Sequence, residues 1–156
     1  LELWQSLMNV NLTGVFLTLR EGLRRLKAEK RTFGRLIAIS SITGKIGYPY
    51  IGAYAASKHG VLGMVKVVAL EVAKSGITVN AICPGYLTTQ MTERSIDNIA
   101  TKTGISHDEA VDKLKIFSPQ NRLFDAEEVT AAALYLASAD ARGVNGQGLS
   151  VCGGET

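Results

Sequence analysis

Apolar side chains return every three to four positions at the start of the chain, from Leu3 through Leu26. This period matches the turn of an α-helix and leaves one apolar stripe along it. The pattern therefore predicts a long amphipathic helix over about 2–30. A second helical pattern runs from Ala53 to Lys74, where a basic last turn is followed by a glycine. We expect two long helices in the first half of the chain.

Three short apolar runs are bounded by glycine or proline. They predict buried strands over 35–39, within the stretch ITVNAICPG that ends at Pro84 and Gly85, and over about 147–152. Strand, long helix and strand in succession form a βαβ unit, whose strands pair in parallel and are covered by helices on both faces. The predicted fold class is α/β with a small parallel sheet, one side of which would be an open apolar edge.

The remaining segments are more polar. The stretch 40–52 is rich in glycine and proline and predicts a loop. Three further helices are predicted, over about 91–101, 106–117 and 126–138. Two of their starts carry a capping box, in which a polar N-cap residue is followed three positions later by an acidic residue. These pairs are Ser106 with Glu109 and Asp125 with Glu128.

Composition narrows the class of protein. The chain has 156 residues, of which 46% are hydrophobic and 20% are charged, and this is typical of one globular domain with a sizeable core. The formal net charge is +3. The one basic cluster, LRRLKAEKR over 23–31, alternates with apolar residues at helical spacing, which favours the solvated face of a helix over a nucleic-acid site. Lys66 and Glu71 interrupt the longest apolar runs, so we expect no membrane span, and no signal-peptide pattern is visible.

Cysteines and histidines give no indication of a metal site. Cys83 and Cys152 are the only cysteines, and they lie far apart without a C-x-x-C pair or neighbouring histidines. We expect small packing residues in a reduced, cytoplasmic protein. His59 and His107 lack partners at ligand spacing, so we expect them to lie on the surface or in packing contacts.

Several chemically useful side chains fall where the predicted strands end. In open α/β sheets, ligands bind in the crevice outside the carboxyl ends of the strands. The strand ends and the start of the helix between them bring six residues to this edge: Ser40, Ser41, Tyr54, Lys58, Pro84 and Gly85. This edge is therefore the predicted site.

Tyr54 and Lys58 lie four residues apart on a predicted helix, so their side chains project into the same space. A nearby ammonium favours the phenolate and is expected to lower the pKa of the tyrosine. That would suit Tyr54 to acid–base chemistry on a carbonyl or an alcohol. Ser41 could donate a hydrogen bond to the same oxygen. On the pair alone, the alternative is a packed tyrosine with a lysine that reaches to solvent.

Five motifs, taken in order, favour acid–base chemistry at Tyr54 over a merely packed tyrosine. They are VNLTGVF, GRLIAIS, Ser41 with YAASK thirteen residues later, GITVNAICPGYLTTQM and VNGQGLSVCGG. The chain resembles the short-chain dehydrogenase/reductases over nearly its whole length. The resemblance implies a Rossmann-type doubly wound parallel sheet and NAD(H) or NADP(H) as cofactor. The family's Gly-rich turn is absent and the chain opens without Met inside a helical pattern. We therefore expect 1–156 to be one partial dinucleotide-binding and catalytic domain, without the N-terminal βαβ half and with only about three strands.

The resemblance also implies roles for particular residues. Asn11 would match a helix asparagine whose local irregularity holds a water in a proton relay. Ser41 would bind the substrate oxygen, and Tyr54 would transfer the proton and contact both substrate and nicotinamide. Lys58 would lower the pKa of Tyr54 and bind the nicotinamide ribose. The loop on the nicotinamide side would contain Pro84, Gly85, Leu87 and Thr89, and the Leu87 backbone would bind the carboxamide.

The implied function is NAD(P)(H)-dependent interconversion of a ketone and a secondary alcohol, and the motifs look most like those of 3-oxoacyl and polyketide ketoreductases. The carbonyl substrate would be a small molecule or linked to an acyl carrier or CoA. The protein would be a homodimer or homotetramer with no nucleic-acid or membrane partner. Two alternatives stay open: a 3-hydroxybutyrate-type or other alcohol dehydrogenase of the family, and a catalytically inactive fragment or partner subunit. A nucleotide-sugar epimerase or dehydratase is disfavoured, because little sequence follows the last strand.

Overall fold

A parallel three-stranded sheet forms the centre of the computed structural model, which describes residues 1–156. Its strands are β1 (Gly34–Ile39), β2 (Ile77–Pro84) and β3 (Gly148–Val151), in the order β1-β2-β3. Both pairings are parallel, and all eight residues of the central strand β2 are buried. The predicted strands, their parallel pairing and the α/β class are confirmed.

Six α-helices surround the sheet: α1 (Glu2–Met8), α2 (Gly14–Ala28), α3 (Gly52–Val72), α4 (Gln90–Thr103), α5 (His107–Lys115) and α6 (Ala126–Ala137). Both predicted capping boxes are present, at the starts of α5 and α6. Each satisfies backbone N–H groups that a helix start would otherwise leave unpaired. None of these helices combines the length and the apolarity needed to cross a membrane.

The single helix predicted over 2–30 is wrong in one respect. A π-helical turn, Asn9–Thr13, separates α1 from α2. The turn packs on α3, where a Cβ on Gly60 would come within 2.9 Å of the Leu12 side chain. The glycine therefore lets the irregular turn approach the helix closely. A π turn adds one residue without reversing the apolar stripe, which is why the hydrophobic period did not reveal it.

The sheet separates two apolar cores. Alternate residues of β2, among them Val79 and Ala81, face a large core built with α2 and α3, where Val61 and Val65 are fully buried. Ile82 faces the opposite side and packs in a smaller core against α6. This alternation follows from the two-residue period of a strand. The sheet is therefore covered on both faces, as the βαβ pattern predicted.

β1 is an edge of the sheet, because only β2 pairs with it. Ile39, the last residue of β1, is 50% exposed. The open apolar edge predicted from the sequence is therefore present. A third, separate core joins α4 and α5 through Ile96, Ala110 and Leu114, and Tyr86 from the loop after β2 packs against it.

Candidate active site

A cavity of about 550 Å³ opens at the carboxyl edge of the sheet, between the ends of β1 and β2 and the starts of α3 and α4. Seven of the residues predicted for the site line it: Ser41, Tyr54, Lys58, Pro84, Gly85, Leu87 and Thr89. Asn11 does not line the cavity. The structure therefore brings seven of the predicted residues together at this edge, and their functional roles stay a prediction.

The two serines at the end of β1 differ in what their hydroxyls already bind. The Ser40 hydroxyl donates to the backbone oxygen of Lys58 at 3.1 Å, so it ties the loop to α3. Ser41 caps the short 3₁₀ turn Ile42–Gly44 by accepting from the Thr43 N–H at 3.2 Å. A hydroxyl that accepts in this way can still donate its own proton, whereas the Ser40 hydroxyl already donates to the backbone. Ser41 is therefore the serine suited to bind a substrate oxygen.

The Tyr54–Lys58 pair meets as predicted, but its electrostatics differ from the prediction. The Lys58 Nζ lies 5.6 Å from the centroid of the Tyr54 ring, and it donates to the backbone oxygen of Ile39 at 3.1 Å. Burial raises the pKa of Tyr54, although a side-chain hydrogen bond with Ser41 partly opposes this. Burial also lowers the pKa of Lys58. The expected lowering of the Tyr54 pKa is therefore wrong for the protein alone, because desolvation penalises the phenolate.

Asn11 is linked to the site through α3. It lies in the π turn, so the local irregularity expected at this position is present. Its side-chain amide donates to the Ser57 hydroxyl at 3.2 Å, and that hydroxyl donates to the backbone oxygen of Tyr54 at 2.7 Å. Asn11 thus contacts the first turns of α3 behind Tyr54, rather than the cavity itself.

The loop after β2 is held by the segment before α6. Leu87 and Phe124 form an isolated parallel bridge, in which the Thr88 N–H donates to Phe124 and the Phe124 N–H donates to Tyr86, each at 2.9 Å. Leu87 itself contributes neither its N–H nor its carbonyl to this bridge. In a parallel pairing these groups point away from the partner, which leaves them available to a ligand.

Thr89 and Gly85, two other predicted residues of this loop, make contacts that fix the path of the loop. Thr89 is the N-cap of α4 and accepts from the Thr92 N–H at 3.4 Å. Gly85 passes close to the segment after β3, since a Cβ there would lie 3.3 Å from Cys152. The loop therefore follows a fixed path along the cavity. A larger residue at position 85 would displace it.

Some cavity-lining residues were not predicted. They share positions in loops or on α4 where no periodic pattern marks them: Ile42, Thr43, Tyr48, Ile51, Tyr86, Met91, Thr92 and Ser95. The one available signal was their position near the strand ends, since loops at this edge line the crevice.

The cysteines and histidines lie in packing or surface positions, as their sequence context predicts. Cys83 and Cys152 are buried free thiols. His59 contacts the backbone oxygen of Ala55 on the exposed side of α3. His107 contacts Glu93 at 3.2 Å, also in an exposed position. All four are packing or surface residues in this structure.

The family of the chain is shown by a family model that matches its full length. A family model described as enoyl-(acyl carrier protein) reductase matches residues 1–156. The chain belongs to the short-chain dehydrogenase/reductase family. Its parallel sheet and flanking helices are the Rossmann-type fold of that family, of which the chain holds a part.

Relatives within the short-chain dehydrogenase/reductases act on different substrates. The chain is 40% identical over 156 residues to a D-beta-hydroxybutyrate dehydrogenase of Rhizobium meliloti, covering 99% of this chain and 60% of the relative. It is 39% identical over 153 residues to a 3-oxoacyl-(acyl-carrier-protein) reductase of Haemophilus influenzae, covering 98% of this chain and 58% of the relative.

A solved structure gives the same fold. An actinorhodin polyketide ketoreductase determined with NADPH superposes with a TM-score of 0.92 at 38% identity, over 99% of this chain and 59% of that chain. The chain thus spans about 60% of the length of the curated relatives it matches.

Proposed function

We propose that the protein is an NAD(P)(H)-dependent oxidoreductase that interconverts a ketone and a secondary alcohol, with a 3-oxoacyl-type substrate. One observation carries the proposal: Ser41, Tyr54 and Lys58 meet in one cavity at the carboxyl edge of a parallel sheet. The relatives named as a 3-oxoacyl-(acyl-carrier-protein) reductase and a polyketide ketoreductase support the substrate type.

Tyr54 is the proton donor in the direction of reduction. The raised pKa of its hydroxyl keeps it protonated at neutral pH, and a protonated phenol can donate to a carbonyl oxygen that gains negative charge. The Ser41 hydroxyl donates a second hydrogen bond to the same oxygen. Donors fixed before the reaction stabilise developing charge most effectively, because they need no rearrangement.

The dinucleotide, when bound, supplies or accepts the hydride. Lys58 and the free backbone groups of Leu87 fit a nicotinamide riboside, because the ammonium donates to hydroxyls and the Leu87 peptide groups match a carboxamide. Pro84, Gly85 and Thr89 form the wall on that side. The residues present therefore fit the nicotinamide half of NAD(H) or NADP(H).

Lys58 and Asn11 support the proton transfer. The Lys58 ammonium, once within reach of both ribose and Tyr54, would favour the phenolate and so oppose the effect of burial. We assign to Asn11 the role of holding the water of the proton relay. The π turn at this position supports the assignment. Its contact with Ser57 also positions the turn of α3 that presents Tyr54.

The first prediction tests the role of Tyr54. In the complete natural chain, Tyr54→Phe is expected to lower kcat by at least about 10²-fold, because it removes the acid and base. Dinucleotide binding, measured by fluorescence titration, should stay close to that of the wild type. Tyr135→Phe, which removes a hydroxyl on the exposed side of α6, is the matched control. Substantial residual kcat in Tyr54→Phe would rule out the assignment.

A second candidate function is oxidation of a free 3-hydroxy acid. The relative of Rhizobium meliloti named as a hydroxybutyrate dehydrogenase favours it. The same Ser41, Tyr54 and Lys58 would serve this reaction, since only the group attached to the reacting carbon differs. Steady-state kinetics of the complete natural chain with a free 3-hydroxy acid and with a 3-oxoacyl thioester would separate the two candidates.

A further inference from the structure

Helix α4 forms part of the cavity wall, although α4 and α5 have few contacts with the rest of the fold. The two helices pack closely on each other, and neither packs closely on any strand or on another helix. Their apolar centre is the separate core that contains Ile96 and Leu114. α4 nevertheless contributes Met91 and Ser95 to the cavity. Residues outside the two helices must therefore hold this helix pair against the loops at the strand ends.

Phe117, which lies two residues after the end of α5, makes a contact of this kind. Its ring meets the Tyr48 ring edge-on, with centroids 5.2 Å apart and an angle of 82° between the planes. It also meets the Tyr86 ring, at 6.0 Å between centroids and 32° between the planes. Aromatic pairs at these distances attract each other beyond the burial of their surface. The Phe117 ring is therefore held by two other rings.

The two tyrosines that contact Phe117 belong to different loops of the site. Tyr48 lies in the loop after β1, which also carries Ser41, and Tyr86 lies in the loop after β2. Both tyrosines line the cavity, whereas Phe117 does not. Phe117 therefore joins the two loops from behind the cavity wall and connects both of them to the end of α5.

Backbone hydrogen bonds tie the position of the Phe117 ring to α5. The Phe117 N–H donates to the Leu114 carbonyl at 3.3 Å, and the Ser118 N–H donates to the Lys115 carbonyl at 3.0 Å. Leu114 is itself buried in the core that α5 shares with α4. A displacement of the ring would therefore be passed to α5 and, through the shared core, to α4.

Resting on the proposed function, we propose that Phe117 is a positioning residue for substrate binding, whose contacts with Tyr48 and Tyr86 hold α4 at a fixed distance from the loop that carries Ser41. Phe117 acts through other residues, since its side chain does not line the cavity. Without the ring, α4 would occupy a range of positions, and substrate binding would carry the free-energy cost of ordering it. The consequence is weaker substrate binding with little change in the chemical step.

Hydrogen exchange of the complete natural chain tests the positioning without any need for turnover. Phe117→Leu keeps an apolar side chain but removes the ring. Amides of α4 and α5 should then exchange at least about threefold faster than in the wild type, because these helices depend on the contact, while amides of β2 keep their rates. Unchanged exchange in α4 and α5 overturns the inference. Equal acceleration in β2 shows general destabilisation and also contradicts it.

Phe33→Leu is the matched control for this substitution. Phe33 is 53% exposed and Phe117 is 43% exposed, so the same change is made at a phenylalanine of similar exposure. Phe33 contacts Arg35 before β1 and does not line the cavity. Phe33→Leu should leave the exchange of α4 and α5 unchanged. Acceleration there equal to that in Phe117→Leu would contradict a specific role for Phe117.

Steady-state kinetics tests the consequence for binding. The complete natural chain is assayed with NADH and with NADPH on the N-acetylcysteamine thioester of 3-oxobutanoate. Phe117→Leu should raise KM for the thioester about threefold to tenfold and leave kcat within about twofold. KM for the dinucleotide should stay within about twofold, since Leu87 is held separately by its bridge to Phe124. An unchanged KM for the thioester overturns the inference. No turnover by the wild type overturns the proposed function and leaves hydrogen exchange to decide the positioning.

Two further variants separate the ring contact from simple packing. Phe117→Tyr keeps the ring and should retain the KM of the wild type. Tyr48→Leu removes the other ring of the same contact, so its effect on KM and that of Phe117→Leu should be less than multiplicative when the two are combined. Multiplicative effects, or a KM in Phe117→Tyr as high as in Phe117→Leu, contradict the assignment.

Discussion

At the scale of single residues, the contacts a side chain already makes decide which chemistry it can perform. Ser40 and Ser41 are adjacent and identical, yet the Ser40 hydroxyl is bound to the backbone of α3 and the Ser41 hydroxyl is next to Tyr54. The spacing to Tyr54 in the sequence selects Ser41, and these contacts support that prediction. The difference between the two serines becomes visible only in the structure, because it depends on the position of the Lys58 backbone oxygen to which Ser40 donates.

The pair of serines gives a second prediction. Ser41→Ala should lower kcat by about 10²-fold or more, as removal of a fixed donor to a developing oxyanion does. Ser40→Ala should keep most of kcat but lower the free energy of unfolding by about 1 kcal/mol, because one buried hydrogen bond is lost. Steady-state kinetics and chemical denaturation of both variants check this. Equal losses of kcat would show that the two hydroxyls are not distinguished by their contacts.

A third prediction concerns the ionisation of Tyr54. Because burial raises its pKa, the phenol should remain protonated through the range in which an exposed tyrosine ionises. In the protein without dinucleotide, the ultraviolet titration of wild type minus Tyr54→Phe should therefore show a step above pH 10, the reference pKa of tyrosine. A step below that pH would show that the Lys58 ammonium outweighs burial.

At the scale of elements, local signals predicted the regular parts of the fold and missed the irregular ones. The capping boxes at Ser106 and Asp125 marked the starts of α5 and α6 to within a residue, because the cap and its partner are neighbours in sequence. The π turn was not visible in the apolar pattern. The place of Thr43 and Tyr48 in the cavity lining was not predicted either. A loop residue has no periodicity, and its burial depends on segments that are distant in sequence.

The end of α2 gives a fourth prediction. The Arg31 N–H donates to Leu26 and the Lys30 N–H donates to Lys27, which forms a Schellman motif. Lys30 takes the left-handed position of that motif, at φ 51°. Lys30→Gly should therefore raise the free energy of unfolding by about 1 kcal/mol, since a side chain is strained there.

The matched control lies one turn earlier. Lys27→Gly places a glycine within the last helical turn, where it should lower the free energy of unfolding by a few tenths to about 1 kcal/mol. Urea denaturation of the complete chain measures both changes. A loss of stability in Lys30→Gly would contradict the strain argument.

At the scale of the whole molecule, the first three helices and the π turn expose several large hydrophobic side chains: Leu3, Trp4, Val10, Phe16, Leu17, Val67 and Leu70. Phe16 of α2 and Val67 of α3 line one groove between the two helices. Exposed apolar side chains that lie together are typical of an interaction site. The family resemblance implies a homodimer or homotetramer, and this remains a proposal.

The fifth prediction follows from that surface. The complete protein should have the solution mass of a dimer or tetramer, and Val67→Glu combined with Leu70→Glu should shift it toward the monomer, because charges would enter an apolar interface. Leu70 is 79% exposed in the single chain, so the substitutions leave the core intact. Lys74→Glu, on the exposed end of the same segment, should leave the mass unchanged. Light scattering measures all three. A monomeric wild type would exclude the interface.

The separate core of α4 and α5 affects how the activity of this molecule could change. The residues proposed to move the proton come from the end of β1 and from α3. Met91, Thr92 and Ser95 come from α4, which has its own apolar centre with α5. That centre shares no residue with the large core between the sheet and α3. We therefore expect that selection or engineering could change the α4 side of the cavity by replacing α4 and α5 together, while the proposed acid–base residues keep their packing.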